Sequence, residues 1–151
     1  MSSPLASDAP FPYAGSKRRI AASIWEQFAG VETYIEPFCG SAAVALARPE
    51  RHRMRLEILN DIDGFLVNAW RAIAANPDAL VQYLDWPTSE IDMVSRHGWL
   101  LHEQPRILSG LESHPEWHDT QAAWYWIWLH CVWLGGKCCS GEGPWIQTPE
   151  G

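Results

Sequence analysis

Apolar residues in the first part of the chain follow two rhythms. Ile20, Ile24 and Phe28 recur every four residues, the spacing of one helix face, and Ser16 or Gly15 is placed to open that helix with Lys17 in its first turn. Val31, Thr33, Tyr34 and Ile35 then form a β-branched and aromatic run with the composition of a buried strand. The run breaks at Pro37 into the small residues Cys39-Gly40-Ser41, ahead of an Ala-rich helix. A second apolar stretch, Leu56-Glu57-Ile58-Leu59, reads as the next strand. The predicted order is strand, turn, helix, strand.

After Asp63 the pattern turns helical. Leu66, Trp70 and Ile73 mark one helix, Pro77 starts another that runs through Leu84, and Ser89 with Asp92 resembles a capping box for a third carrying Met93 and Leu100. From Asp119 to Trp133 the chain is apolar all round, with Asp119 or Thr120 as the cap and Gly135-Gly136 as the stop. A helix of that kind has to be buried. Its aromatics could also serve as a platform for stacked bases, and the alternation of Trp124, Trp126 and Trp128 leaves a strand open. Residues 135–151 form a Gly- and Pro-rich loop, expected to be disordered or to be a substrate-contacting loop cut short.

The turn between the strands is where chemistry is expected. Gly40 lets the backbone approach a ligand, Ser41 is able to cap the following helix, and a helix N-terminus favours polar or anionic groups. Asp61 falls at the carboxyl end of the second strand, where an acid accepts hydrogen bonds from both hydroxyls of a ribose. Together they point to a nucleoside-cofactor site. The turn has a single glycine and lacks the Gly-x-Gly-x-x-Gly of dinucleotide-binding proteins, so a nicotinamide oxidoreductase fits it poorly and a ligand-free βα turn remains the plain alternative. Lys17 opposes the dipole of its own helix, which argues for a ligand role over a solvated lysine beside Arg18 and Arg19.

Three segments in order, Pro-Tyr-Ala-Gly-Ser-Lys (12–17), Tyr-Ile-Glu-Pro-Phe-Cys-Gly-Ser-Ala (34–42) and Asn-Asp-Ile-Asp (60–63), resemble the amino-terminal half of the Dam-type, S-adenosylmethionine-dependent DNA adenine methyltransferases, particularly phage-borne members. A looser likeness extends through residues 66–71 and into the Trp-rich segment with Gly141-Glu142-Gly143-Pro144-Trp145. The resemblance implies an α/β, partial Rossmann-like methyltransferase fold with a helical insertion. Its cofactor would be S-adenosyl-L-methionine, with Tyr13 and Lys17 lining the pocket, Glu36, Phe38 and Gly40 forming the turn around the methionine part, and Asp61 on the ribose. The implied organisation is a flexible N-terminus (1–10), a cofactor-binding βα core (11–63), a helical segment (64–134) and the final loop (135–151). Ser16 and Cys39 depart from the family, which commonly has a glycine at the first position and another small residue at the second.

A larger departure concerns the reaction. The family orients the adenine amine with an Asp-Pro-Pro-Tyr motif, whose polar acceptors hold the amine and whose aromatic ring stacks on a flipped-out base. This chain has no Pro-Pro pair. The motif is expected downstream of the matched region, so the chain reads as the front portion of a longer enzyme or a truncated gene product, holding no catalytic residues of its own.

Composition changes the picture little. The 151 residues suffice for one domain, and neither a bilayer-length apolar run nor a secretory leader is visible, so cytoplasmic residence is the expectation. A net charge of −7 argues against this piece being the main DNA-binding surface, and DNA is expected as a partner through the full-length enzyme. The basic clusters Lys17-Arg18-Arg19 and Arg48 through Arg55 read as a solvated helix end and a charged loop. Cys39, Cys131, Cys138 and Cys139 lack Cys-x-x-Cys spacing and read as reduced thiols, and no metal is expected.

Overall fold

The computed structural model describes residues 9–28, 30–50, 53, 55–85, 87–134 and 138–139. Arg51 of the second basic cluster and nearly all of the 1–10 and 135–151 segments lie outside the described residues. The chain divides into two compact units, Met1–Ile62 and Asp63–Gly151.

In the first unit a single 3-10 turn (Arg18–Ile20) leads into α1 (Ala21–Gln27), followed by β1 (Thr33–Glu36), α2 (Ala43–Leu46) and β2 (Leu56–Leu59). The strands pair in parallel, from Thr33 opposite Leu56 to Glu36 opposite Leu59. A parallel pair requires a crossover, and the turn and α2 supply it. Lys17 precedes the 3-10 turn and lies outside α1. The buried seam of α1 is Ala21 and Trp25, while Ile20 of the predicted stripe is exposed. Trp25 wins because its indole packs on Tyr34 and donates to the Val44 carbonyl at 2.7 Å, satisfying its N–H inside the core. The helix after the turn is a single turn, and Ser41 does not cap it. Its N-cap is Ala42, at a left-handed φ of 50° and without a side-chain cap.

The second unit is helical: α3 (Gly64–Ala75), α4 (Pro77–Leu84), α5 (Glu90–Ser113) and α6 (Thr120–Val132). Caps set the starts. Asp63 accepts from the amides of Phe65 and Leu66, Asn76 from Ala79, Ser89 from Asp92 and Asp119 from Ala122. Pro77 stands at the first position of α4, where its missing N–H costs nothing. The strand alternative for Trp124 to Trp128 is ruled out by helix α6, which packs against α3, α4 and α5 and buries Ala122, Ala123, Trp124, Trp126, Ile127, Trp128 and Leu129. Packed against three helices, it keeps exposed positions only near its ends, at Gln121 and Cys131.

Two polar devices fix this core. The fully buried Asn68 donates to the Asp119 carbonyl at 2.9 Å and accepts from the Asp119 amide at 2.7 Å, pinning α3 to the start of α6. Arg71 donates to the carbonyls of Leu111, His114 and Trp117, which end α5 and enter the following loop. Among the described residues no helix is long and apolar enough to cross a membrane.

Candidate cofactor site

The turn after β1 is shaped by hydrogen bonds that link it to the end of β2. The Asn60 amide donates to the Glu36 carbonyl at 2.9 Å, extending the sheet, and the Asn60 side chain donates to the Pro37 carbonyl at 3.0 Å. The Cys39 amide returns a bond to the Asn60 carbonyl at 2.9 Å. Gly40 then donates its N–H to Asp61 Oδ2 at 2.9 Å, while Asp61 Oδ1 accepts from the Ile62 amide at 2.9 Å. Asp61 therefore closes the turn.

Gly40 is required twice over. Its φ is 50°, and a Cβ there would stand 2.8 Å from Cδ1 of Tyr13, whose ring lies against the backbone at this point. Tyr13 itself begins a tight turn in which the Ser16 amide donates back to the Tyr13 carbonyl at 3.1 Å and Gly15 takes a φ of 79°. The Ser41 hydroxyl meets that of Ser16 at 3.3 Å, tying the two glycine turns together.

Between them is a cavity of about 230 Å³ at the carboxyl ends of the parallel strands. Every candidate singled out from the sequence lines it: Tyr13, Lys17, Glu36, Phe38, Gly40 and Asp61. Ala14, Gly15, Ser16, Cys39 and Ser41, from the same motifs, and Ala43, one residue past the second, complete the wall and were not singled out as contacts. A second hollow, of about 200 Å³ and more apolar, shares Lys17, Glu36 and Phe38 with the first.

The electrostatics are those of a partly desolvated pocket. Glu36 is only 8% exposed and accepts from the Tyr34 hydroxyl at 2.9 Å. Burial raises its carboxyl above the ordinary value, against the lowering effects of the Tyr34 hydrogen bond, the Lys17 charge and the Ala45 amide. Burial and the neighbouring Glu36 also push the Tyr34 hydroxyl up. The Cys39 thiol is pushed up to about 11, first by burial and then by the Asp61 and Glu36 charges, so at neutral pH it is a neutral thiol and a poor nucleophile. Phe38, 74% exposed, presents an apolar ring at the cavity rim. Among the described residues no group of three His, Cys, Asp or Glu side chains is placed to hold a metal ion.

A cavity at the carboxyl ends of parallel strands, walled by a glycine turn and an acid from the next strand, is the ligand position of open α/β proteins. Comparison with family models matches residues 13–98 to the D12 class N6 adenine-specific DNA methyltransferases. That match spans more than half of the chain, and the chain belongs to this family. No curated protein and no solved structure matches it.

Proposed function

We propose that the cavity binds S-adenosyl-L-methionine and that the chain supplies the cofactor part of a Rossmann-like DNA adenine methyltransferase. The observation that carries this reading is the meeting of Tyr13, Lys17, Glu36, Phe38, Gly40 and Asp61, from three separate segments, on one cavity. The donor set suits the ligand. Lys17 and Glu36 offer opposite charges to the carboxylate and ammonium of an amino acid, Asp61 offers acceptors to ribose hydroxyls, and Tyr13 and Phe38 offer aromatic faces to a purine.

When bound, the cofactor supplies an electrophilic methyl group for the exocyclic amine of a DNA adenine. The chain's own residues bind and orient it, and the buried Glu36 side of the cavity keeps water away. Orientation of the acceptor amine requires the Asp-Pro-Pro-Tyr motif, and the sequence has no Pro-Pro pair. We therefore infer that this chain alone does not turn over, and the same absence favours, as the second reading, a non-catalytic S-adenosylmethionine- or nucleotide-binding module. With a net charge of −7, DNA engagement falls to other parts of the enzyme, and the reading places the protein in the cytoplasm.

Titration calorimetry with S-adenosylmethionine, S-adenosylhomocysteine and a nicotinamide dinucleotide tests the site. Binding of the first two alone is expected, and preference for the dinucleotide overturns the reading. Transfer of radiolabelled methyl groups to adenine-containing duplex and single-stranded DNA, by the chain alone and joined to a segment bearing Asp-Pro-Pro-Tyr, separates the two functions. Robust turnover by the chain alone would show that the Asp-Pro-Pro-Tyr motif is dispensable or that catalytic residues in this chain have been overlooked.

A further inference from the structure

We propose that Cys138 and Cys139 form a reversible dithiol–disulfide site that peroxides oxidise, with His130 as the base that takes the Cys138 proton. The proposal does not rest on the cofactor reading. The two Sγ atoms lie 3.7 Å apart, and both side chains are half-buried, within reach of a small oxidant. His130, in the last turn of α6, directs Nδ1 at the Trp126 carbonyl at 2.9 Å. A carbonyl only accepts, so Nδ1 carries the hydrogen and the neutral ring keeps Nε2 as an acceptor. The Trp126 and His130 rings pack with centroids 3.8 Å apart, which holds the imidazole in that orientation. His130 is also close enough to Cys138 to favour its thiolate, through hydrogen bonding and charge.

The surroundings distinguish the two thiols. Cys138 is held below the ordinary thiol range, first by its contact with the Cys139 sulfur and then by His130, both acting against burial and the Asp63 carboxylate. Cys139 moves the other way, raised first by its contact with Cys138 and then by burial and the Cys138 and Asp63 charges. The neighbouring His130 acts on Cys138, which makes Cys138 the attacking sulfur and Cys139 the resolving one.

The chemistry closes without other reactants. His130 takes the Cys138 proton, and the thiolate attacks one peroxide oxygen. An S–O bond forms, the O–O bond breaks, and the departing hydroxide takes the proton from His130 to leave as water. The Cys139 sulfur then attacks the sulfenic sulfur of Cys138, the S–O bond breaks, and the hydroxyl leaves with the Cys139 proton as a second water. Both thiols are oxidised as hydrogen peroxide is reduced to two waters. A thiol reductant restores the pair.

The test treats the full chain with hydrogen peroxide, alkylates all remaining thiols after denaturation and reads the peptides by mass spectrometry. The expected product is a monomeric chain whose peptide with Cys138 and Cys139 is unalkylated and lighter by two hydrogens, reversible with dithiothreitol, while Cys39 and Cys131 carry the label. Alkylation of both adjacent cysteines, or a disulfide found only between two chains, overturns the proposal. In Cys139→Ser a sulfenic acid should be trapped on Cys138 by dimedone, and in Cys138→Ser Cys139 should resist oxidation. The reverse pattern would overturn the assigned order. His130→Gln should slow disulfide formation by about tenfold, and an unchanged rate removes His130 from the site.

Discussion

The residues up to Ile62 and those from Asp63 onward hold their shapes by different means. In the first unit a two-stranded parallel sheet leaves every residue of β2 exposed, Leu56, Ile58 and Leu59 among them, and precision comes from the hydrogen bonds that join Gly40 to Asp61 and Cys39 to Asn60. In the second, α6 sinks Trp124, Trp126 and Trp128 among three helices, with two polar clamps to set their register. The unit with the candidate cofactor site has a thin core, and the unit with the thick core carries none of the candidate cofactor residues. Sites that bind by backbone geometry tolerate polar, strained positions that a packed core would reject.

Substitutions should expose that division, and the largest effect belongs to the helices. Trp126→Ala opens a cavity at a side chain that is 1% exposed and should cost about 3–5 kcal/mol in urea unfolding; a loss no larger than that of a surface change would mean α6 is not the core. On the other side, Asp61→Ala should weaken S-adenosylmethionine binding about ten- to a hundredfold, equivalent to roughly 1.5–3 kcal/mol, and unchanged calorimetric affinity would remove Asp61 from the site. Gly40→Ala meets both the left-handed φ and the Tyr13 ring, and should lower thermal stability by about 1–2 kcal/mol. Adding Tyr13→Ala should recover part of that loss, whereas an additive double mutant would place the strain in the backbone alone.

The smallest effect is one of pH. Burial raises the Glu36 carboxyl above its ordinary 4.5, so folding favours its protonated form. Its stabilising contribution is complete below 4.5 and fades as pH rises through the raised value. Relative to Glu36→Gln, the wild-type melting temperature should therefore fall as pH climbs toward neutrality. A constant difference between the two proteins across that range would show Glu36 to be as well solvated folded as unfolded.

How far the sequence announced all this depends on whether local chemistry or tertiary contact decided each element. Caps were legible because the capping side chain and its amide lie a few residues apart: Ser89 with Asp92 and Pro77 both start helices where their chemistry requires. The all-apolar 119–133 stretch was legible as a buried helix for the same reason, since no solvated element carries that composition. The candidate cofactor residues were located by motif, and the structure brings them to one cavity. What escaped was set at a distance. Nothing near Trp25 says that it, rather than Ile20, turns inward; Val44 and Tyr34 decide that. Ser41 looked like a cap, yet Ala42 takes the left-handed position and Ser41 turns to Ser16. Asn68 resembled any helical asparagine, because its partner lies 51 residues away.

The burial of α6 against three helices also bears on the order in which the chain is made. A helix with no polar face has nowhere to rest in water, and while unsatisfied it is the most adhesive part of a nascent chain. Synthesis runs from the amino terminus, so α3, α4 and α5 leave the ribosome before it and can form their groove first. The stickiest segment is then exposed for the shortest time, with its receptor waiting and the Asn68 amide ready to catch Asp119 as α6 begins. A circular permutation that moved α6 ahead of its partners would retain every native contact while losing that sequence of events, and soluble yield would be the quantity to suffer.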